Sequence, residues 1–273
     1  MKKWLALAAT AVLGASLLIS GCGSSTNNAS SSGSKEVLKV AANPVPHAEI
    51  LEQVKPILAK EGVDLQIVEF TDYIQPNMAL SSHEVDANFF ANVPYQNNYN
   101  KDHGTNFVSF APVHIEPLAI YSQKIKDLKD LPNGAKVAIP SDPTNSARAL
   151  LLLQSAGLVT LKDPTGLTNT PFDVTSNPKN IQIVELEAAQ IPRSIQDLDA
   201  AVINANYALP AGLNPTKDGL FVEKADSPYA NLLSVNPVDE NKPAIQKLAK
   251  ALQSPEVKKF IEEHYTGAII PAF

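Results

Sequence analysis

The sequence predicts an α/β fold, and three observations carry that reading. Val37 to Ala42 is a short apolar run of strand length, and Ile50, Leu51, Val54, Ile57 and Leu58 then recur at helical spacing between His47 and Glu61. Leu65 to Phe70 alternates as a second strand, which completes β-α-β, the unit that places helices outside a parallel sheet. The same grammar returns further on: Lys136 to Pro140 reads as a strand, Ala147 to Ala156 as a helix, and Ile181 to Leu186 as another strand. Two such units predict two α/β lobes with a ligand cleft between them.

The local signals agree with each element. Asp142-Pro143-Thr144-Asn145 carries turn and N-cap residues ahead of the second helix, and Gly157 ends it. At the C-terminus Ile245, Leu248, Ala249 and Leu252 share one helical face. Ser254-Pro255-Glu256 then restarts a helix with an N-cap, a proline in the first turn and an acid at the positive end. Val257, Phe260 and Ile261 supply the buried stripe of that last helix. There is also an internal echo: Val85-Asp86-Ala87 and Leu198-Asp199-Ala200 both put an apolar-Asp-Ala step at the head of a short strand.

The N-terminus addresses the chain. Lys2 and Lys3 precede an almost wholly apolar or small run from Trp4 to Ile19, the layout of a secretory signal peptide over residues 1–21. Ile19-Ser20-Gly21-Cys22 resembles a bacterial lipobox, which implies cleavage before Cys22 and acylation of its thiol. Cys22 is the only cysteine, so no disulfide forms within the chain, and acylation accounts for an odd thiol in a secreted protein. Residues 22–35 are rich in Ser, Gly, Asn, Thr and Ala, a composition that buries too little apolar area to offset ordering entropy and reads as a flexible tether. The expected location is the extracytoplasmic face of the cell membrane, held there by lipid.

Charge narrows the partners. The chain carries a net charge of -6, and removal of Lys2 and Lys3 with the signal leaves a more acidic mature protein. That balance argues against nucleic acid and against an anionic membrane surface as binding partners. Catalysis finds no support either: there is no Gly-x-Ser-x-Gly elbow, no phosphate loop and no dinucleotide fingerprint. Glu185 and Glu187 sit two apart on a strand and share a face, a pairing more usual on solvated surfaces than in acid/base catalysis. The five histidines, His47, His83, His103, His114 and His264, show none of the close spacing of a zinc motif. No enzyme, cofactor or metal is expected.

Seven segments occur in order: Pro44 to Leu51, Asp72 to Asn77, Asp86 to Phe90, His114 to Pro117, Asp142 to Arg148, Ala201 to Asn204 and Ser227 to Asn231. Together they closely resemble the NlpA lipoprotein family, the methionine-binding lipoproteins of bacterial ABC importers, from the lipobox to Gly267-Ala268. The resemblance implies a type II periplasmic-binding-protein-like fold whose two lobes close on a free amino acid and deliver it to a permease powered by an ATPase. Because the segments His114 to Ser122 and Ser227 to Val235 link the two α/β units, lobe one is expected over 36–118 and 230–273 and lobe two over 119–229, in a monomer. The resemblance also implies that Arg148 pairs with the ligand carboxylate and that Asn204 and Asn231 bind the backbone amine and carboxylate. Tyr73, Phe90 and His114 would line a slot for the thioether, with Asn77 as a polar wall. An arginine fork suits a carboxylate, an asparagine offers both donor and acceptor, and sulfur packs well on aromatic rings. Arg148 is expected inside the N-terminal turn of its helix, where the dipole favours an anion. One departure stands out: Ala91-Asn92 stands where family members commonly have Gln-His. Open alternatives are another amino acid, a methionine-containing dipeptide or a metal ion as ligand, and a surface antigen or adhesin without a transport role.

Overall fold

A computed structural model describes residues 35–224 and 228–273 of the protein. The signal segment, Cys22 and all but the last residue of the tether lie outside the described residues, as does Ser227 of the seventh segment.

In chain order the elements are β1 (Glu36–Ala42), α1 (Glu49–Lys60), β2 (Val63–Glu69), α2 (Gln75–Ser81), β3 (Ala87–Asn92), α3 (Val93–His103) and β4 (Val108–Ile115). Then come β5 (Ala119–Tyr121), β6 (Lys136–Pro140), α4 (Pro143–Ser155), β7 (Thr160–Leu161), β8 (Val174–Ser176), β9 (Gln182–Leu186), α5 (Ile191–Ser194), β10 (Ala200–Ile203), α6 (Ala205–Ala208), α7 (Pro215–Asp218) and β11 (Phe221–Val222). The chain closes with β12 (Ala230–Val235), α8 (Pro243–Leu252), α9 (Pro255–Tyr265) and β13 (Ile270–Pro271).

These strands build two main sheets. The first has the order β13-β4-β12-β3-β1-β2 and the second β11-β5-β10-β6-β9, with β7 and β8 forming a separate hairpin pair. The expected β-α-β units are present: β1 pairs β2 in parallel and β6 pairs β9 in parallel. Neither sheet is purely parallel, however. β12 runs antiparallel to β3 and β4, and β5 runs antiparallel to β10 and β11. The physical reason is connectivity. The chain leaves the first sheet after β4, enters the second at β5 only a few residues on, and returns after β11 to lay β12 between β3 and β4. Strands that arrive by such direct passages need no helical crossover.

Each sheet is sealed by the helices whose apolar faces the sequence announces. Ile50, Leu51, Val54 and Leu58 of α1 and Ile245, Leu248 and Leu252 of α8 pack with Leu38, Val40, Phe89 and Leu233 from the strands. Val257 and Ile261 of α9 complete that cluster. In the second sheet, Val137, Ile139 and Val202 meet Leu150 and Leu153 of α4. Each such side chain stabilises the fold by about 1.5–3 kcal/mol through the water it sheds. Ser254 caps α9 by accepting the Val257 N–H, as its position predicts.

The internal echo is a shared joint. Asp86 accepts the backbone N–H of Lys39 at 2.8 Å and returns its own N–H to the Lys39 carbonyl at 2.9 Å, tying the head of β3 to β1. Asp199 does the same with Lys136 at 2.8 and 2.9 Å, tying the head of β10 to β6. In both sheets the third strand lies beside the first and is registered by one carboxylate. Asp86→Ala and Asp199→Ala are each expected to lower unfolding free energy by about 1 kcal/mol. Because the two joints share no partner, the double variant should lose the sum. Denaturant titration of the two singles and the double checks this.

Candidate functional site

Eleven residues drawn from and around both sheets line a cavity of about 330 Å³, a figure that includes its opening to solvent. Its wall combines three aromatic rings, one carboxylate, one guanidinium and a set of asparagines, and each is placed by a local feature of the chain.

Tyr73 sits in the turn before α2, where Asp72 accepts the N–H groups of Ile74 and Gln75 and fixes the entry to the helix. Its hydroxyl donates to Asn206 at 2.6 Å, and its carbonyl accepts the Tyr95 hydroxyl at 2.7 Å. Phe90 projects from β3, with its ring centroid 6.1 Å from Tyr73 and 5.8 Å from Tyr95. Asn92 ends β3 and caps α3 by accepting the Tyr95 N–H, which locks Tyr95 into the wall. The three rings form one polarizable face.

Glu116 follows β4 and is 6% exposed. One carboxylate oxygen accepts from His47 at 3.1 Å and from His114 at 2.9 Å, and the other accepts the backbone N–H of Asn206 at 3.0 Å. Burial opposes ionisation of Glu116, but the two imidazoles outweigh it and hold the carboxyl down at about 2. Burial lowers His114 as well, below its ordinary value. With an acceptor facing each Nε2, the proton of each ring is assigned to Nε2.

The donor atoms of His47, His114 and Glu116 all lie within 4.8 Å of one another, so the set has the composition of a metal centre. Histidines that ligate a metal usually donate their second N–H to an acceptor. Here neither Nδ1 has a partner among the described residues, so ligation through Nε2 would strand a buried donor on each ring. Donation to a carboxylate strands only an acceptor and is the cheaper arrangement.

Arg148 lies in the second turn of α4, beyond the first turn in which the helix dipole acts, so the expectation of a dipole-assisted anion there does not hold. It is 4% exposed. Its Nε donates to one oxygen of Glu223 at 2.9 Å, and its Nη2 donates both to the other Glu223 oxygen and to the Glu116 carbonyl, the latter at 2.8 Å. The Tyr229 ring stacks on the guanidinium, 4.2 Å from its carbon. The fork expected to take a ligand carboxylate is thus filled from within the chain, and Nη1 is the nitrogen these bonds leave over.

The asparagines finish the lining. Asn204 donates to Asn145 at 2.8 Å, and its own Oδ1 is buried without a partner. Asn206 accepts from Tyr73, and its Nδ2, like Asn204 Oδ1, is buried with no partner among the described residues. Asn231 on β12 faces His47 at 3.2 Å. A cavity holding one unpaired acceptor, one unpaired donor, an ionised carboxylate and a guanidinium has a polar complement with both a cationic and an anionic end.

Of the residues singled out from the sequence, Tyr73, Phe90, Arg148, Asn204 and Asn231 line this cavity. Asn77 and His114 do not. Asn77 is buried in α2 and accepts from Asn88 at 2.6 Å, so it braces α2 against β3. His114 is enclosed behind Glu116, its ring edge-on to Phe89 with centroids 5.4 Å apart, and it faces a carboxylate rather than an apolar slot. Glu116, Asn145, Asn206 and Tyr95 are lining residues that the sequence reading did not single out. Glu116 stands inside the His114 to Pro117 segment, and its pairing with His47, far off in sequence, is what the linear pattern conceals. Ala91 and Asn92, the departure from the family pattern, also line the cavity.

Comparison with known proteins places this geometry. Residues 38–273 match the family model described as NlpA lipoprotein. The D-methionine-binding lipoprotein MetQ of Salmonella typhimurium is 41% identical over 272 residues, covering 98% of both chains. A nutrient binding protein from Burkholderia cenocepacia, solved bound to methionine, superposes with a TM-score of 0.84 at 48% identity, covering 86% of this chain and all of the other. The crystal structure of a methionine binding protein, MetQ, gives a TM-score of 0.83 at 42% identity over 87% of this chain and 98% of the other. The fold is accordingly of the type II periplasmic-binding-protein kind, two α/β lobes about a ligand cleft. With the match running from β1 to the last residue, the chain belongs to the NlpA lipoprotein family.

Proposed function

We propose that the protein is the lipid-anchored solute receptor of an ABC importer and that its cavity binds free methionine. The observation that carries this reading is the pairing, around one cavity, of opposite charges and unpaired amides with a wall of three aromatic rings. Glu116 and Asn204 Oδ1 take the ammonium, Arg148 Nη1 and Asn206 Nδ2 take the carboxylate, and Asn231 supports the backbone end beside His47. The thioether lies on Tyr73, Phe90 and Tyr95, where a polarizable sulfur gains most. Relatives that are methionine-binding lipoproteins by name support the same ligand.

The segments 36–118 and 230–273 act as one lobe and 119–229 as the other, closing on the amino acid and opening at the permease, which an ATPase drives. The protein has no catalytic task and works as a monomer, tethered through the lipid on Cys22 over residues 22–35. Among the described residues no helix is long and apolar enough to cross a membrane.

Calorimetric titration of the full-length protein with L- and D-methionine tests the ligand. Saturable heat with at least one enantiomer is expected, and no heat with either sinks the reading. Arg148→Ala removes the guanidinium and strands Glu223, and it should weaken binding by about a hundredfold or more, as loss of a buried charged contact does. Undiminished affinity would misplace the carboxylate site. Glu116 also sets a pH dependence. Its folded-state carboxyl is held at about 2, below the ordinary 4.5, so its charge persists as pH falls and is lost only near the lower value. Methionine affinity should therefore stay level between pH 7 and about pH 4, where an unperturbed glutamate would already be mostly protonated. A steep loss of affinity centred near pH 4.5 would show that Glu116 titrates normally or does not face the ammonium.

A further inference from the structure

Tyr73 and Tyr95 line a second cavity as well as the first. This one encloses about 600 Å³ of space open to solvent, and Tyr207, Asp142 and Glu187 complete its chemically active wall. The rings meet at angles: Tyr73 and Tyr207 lie 5.0 Å apart at 44°, and Tyr73 and Tyr95 lie 5.8 Å apart at 65°. Each hydroxyl is engaged away from the space, on Asn206, on the Tyr73 carbonyl and on the Thr71 carbonyl respectively for Tyr73, Tyr95 and Tyr207. The hydroxyl bonds fix the three rings at the wall.

The charges around this cavity have one sign. Asp142 and Glu187 line it, and no lysine, arginine or histidine does among the described residues. Asp142 accepts the backbone and side-chain N–H groups of Asn145, which are neutral donors, so its charge is hydrogen-bonded but not neutralised by them. Burial pushes its carboxyl above the usual range, as expected of a desolvated anion whose partners are neutral. Glu187 falls just past the end of β9 and is exposed, so the face it was expected to share with Glu185 is not formed. Burial first, and nearby carboxylates after it, push all three phenols up, so the rings stay neutral and keep their electron-rich faces.

We propose that this cavity is a subsite for an organic cation of the substituted ammonium or sulfonium class, held by the faces of Tyr73, Tyr95 and Tyr207 against Asp142 and Glu187. A methylated cation is weakly hydrated, so it enters an aromatic hollow at little cost, and both the ring quadrupoles and the carboxylates attract it. A metal ion fits this wall poorly, since Asp142 has both oxygens committed and the rings offer no ligand atom. The rings are already locked by their hydroxyl bonds, so little ordering is lost on binding. The site shares the Tyr73 and Tyr95 rings with the methionine wall, but its test does not require methionine to be the ligand.

Choline and 3,3-dimethylbutan-1-ol are the probes, because they share a shape and differ in whether nitrogen or carbon stands at the centre. Saturation-transfer NMR on the full-length protein in detergent should show choline binding in roughly the millimolar range, and the neutral alcohol at least about tenfold weaker. Glu187→Gln should weaken choline about threefold or more while leaving methionine affinity unchanged, and Tyr207→Leu should weaken choline further. Binding of choline should also fall with added salt. Equal binding of the two probes, absence of choline binding, or a choline affinity indifferent to both substitutions overturns the proposal.

Discussion

A carboxylate taken wholly out of water has to be answered by donors, and Glu116 is answered by three that come from different parts of the chain. His47 follows β1, His114 ends β4, and the Asn206 N–H opens α6 from the second sheet. An isolated buried charge would cost several kcal/mol, whereas a charge with three N–H donors is tolerated and stays ionised. The consequence is architectural. The one group that cannot be left unpaired lies where elements of both sheets converge, so the segments carrying its donors are held to a common point. Tyr73, Asn206 and Asn231 then join the same network through Asn206 and His47.

The two sheets are variations on one plan, and the plan is enforced by small polar joints rather than by core volume alone. In each sheet a strand, a helix and a parallel strand are followed by a third strand on the other side of the first, registered by Asp86 or Asp199. What differs is the strand borrowed beyond it: β12 arrives from far along the chain, while β5 comes directly from β4. That exchange leaves two chain passages between the sheets, one near residues 116–118 and one flanked by 223–224 and 228–229, and both carry residues that bear on Arg148. Glu116 offers it a carbonyl, Glu223 a carboxylate and Tyr229 a ring.

Much of this was legible in the sequence because periodicity and capping are local. The α1, α4, α8 and α9 faces, the strands beside them and the cap at Ser254 are written in spacing and residue type. The antiparallel strands were not, because their partners are set by where the chain travels and not by any run of residues. α3 shows a different limit: only Gln96 and Tyr99 of its residues are buried, so it carries no apolar stripe to announce it. At the site, five residues named from family resemblance line the cavity. The partners that local pattern could not show are those distant in sequence: Glu223 for Arg148, 75 residues away, and His47 for the Glu116 that His114 also binds.

The Arg148 and Glu223 pair has a meaning for turnover. A receptor that serves a transporter has to surrender its cargo, and a bare guanidinium in a dry cavity would grip a carboxylate through both arms of its fork. Here the fork is already satisfied, so an arriving carboxylate meets a cation whose charge is shared and whose best edge is taken. Leaving then uncovers no naked charge, because the internal partner remains in place. On the proposed reading of Arg148 as the carboxylate's partner, Glu223 is a permanent counterweight that trades depth of binding for ease of release.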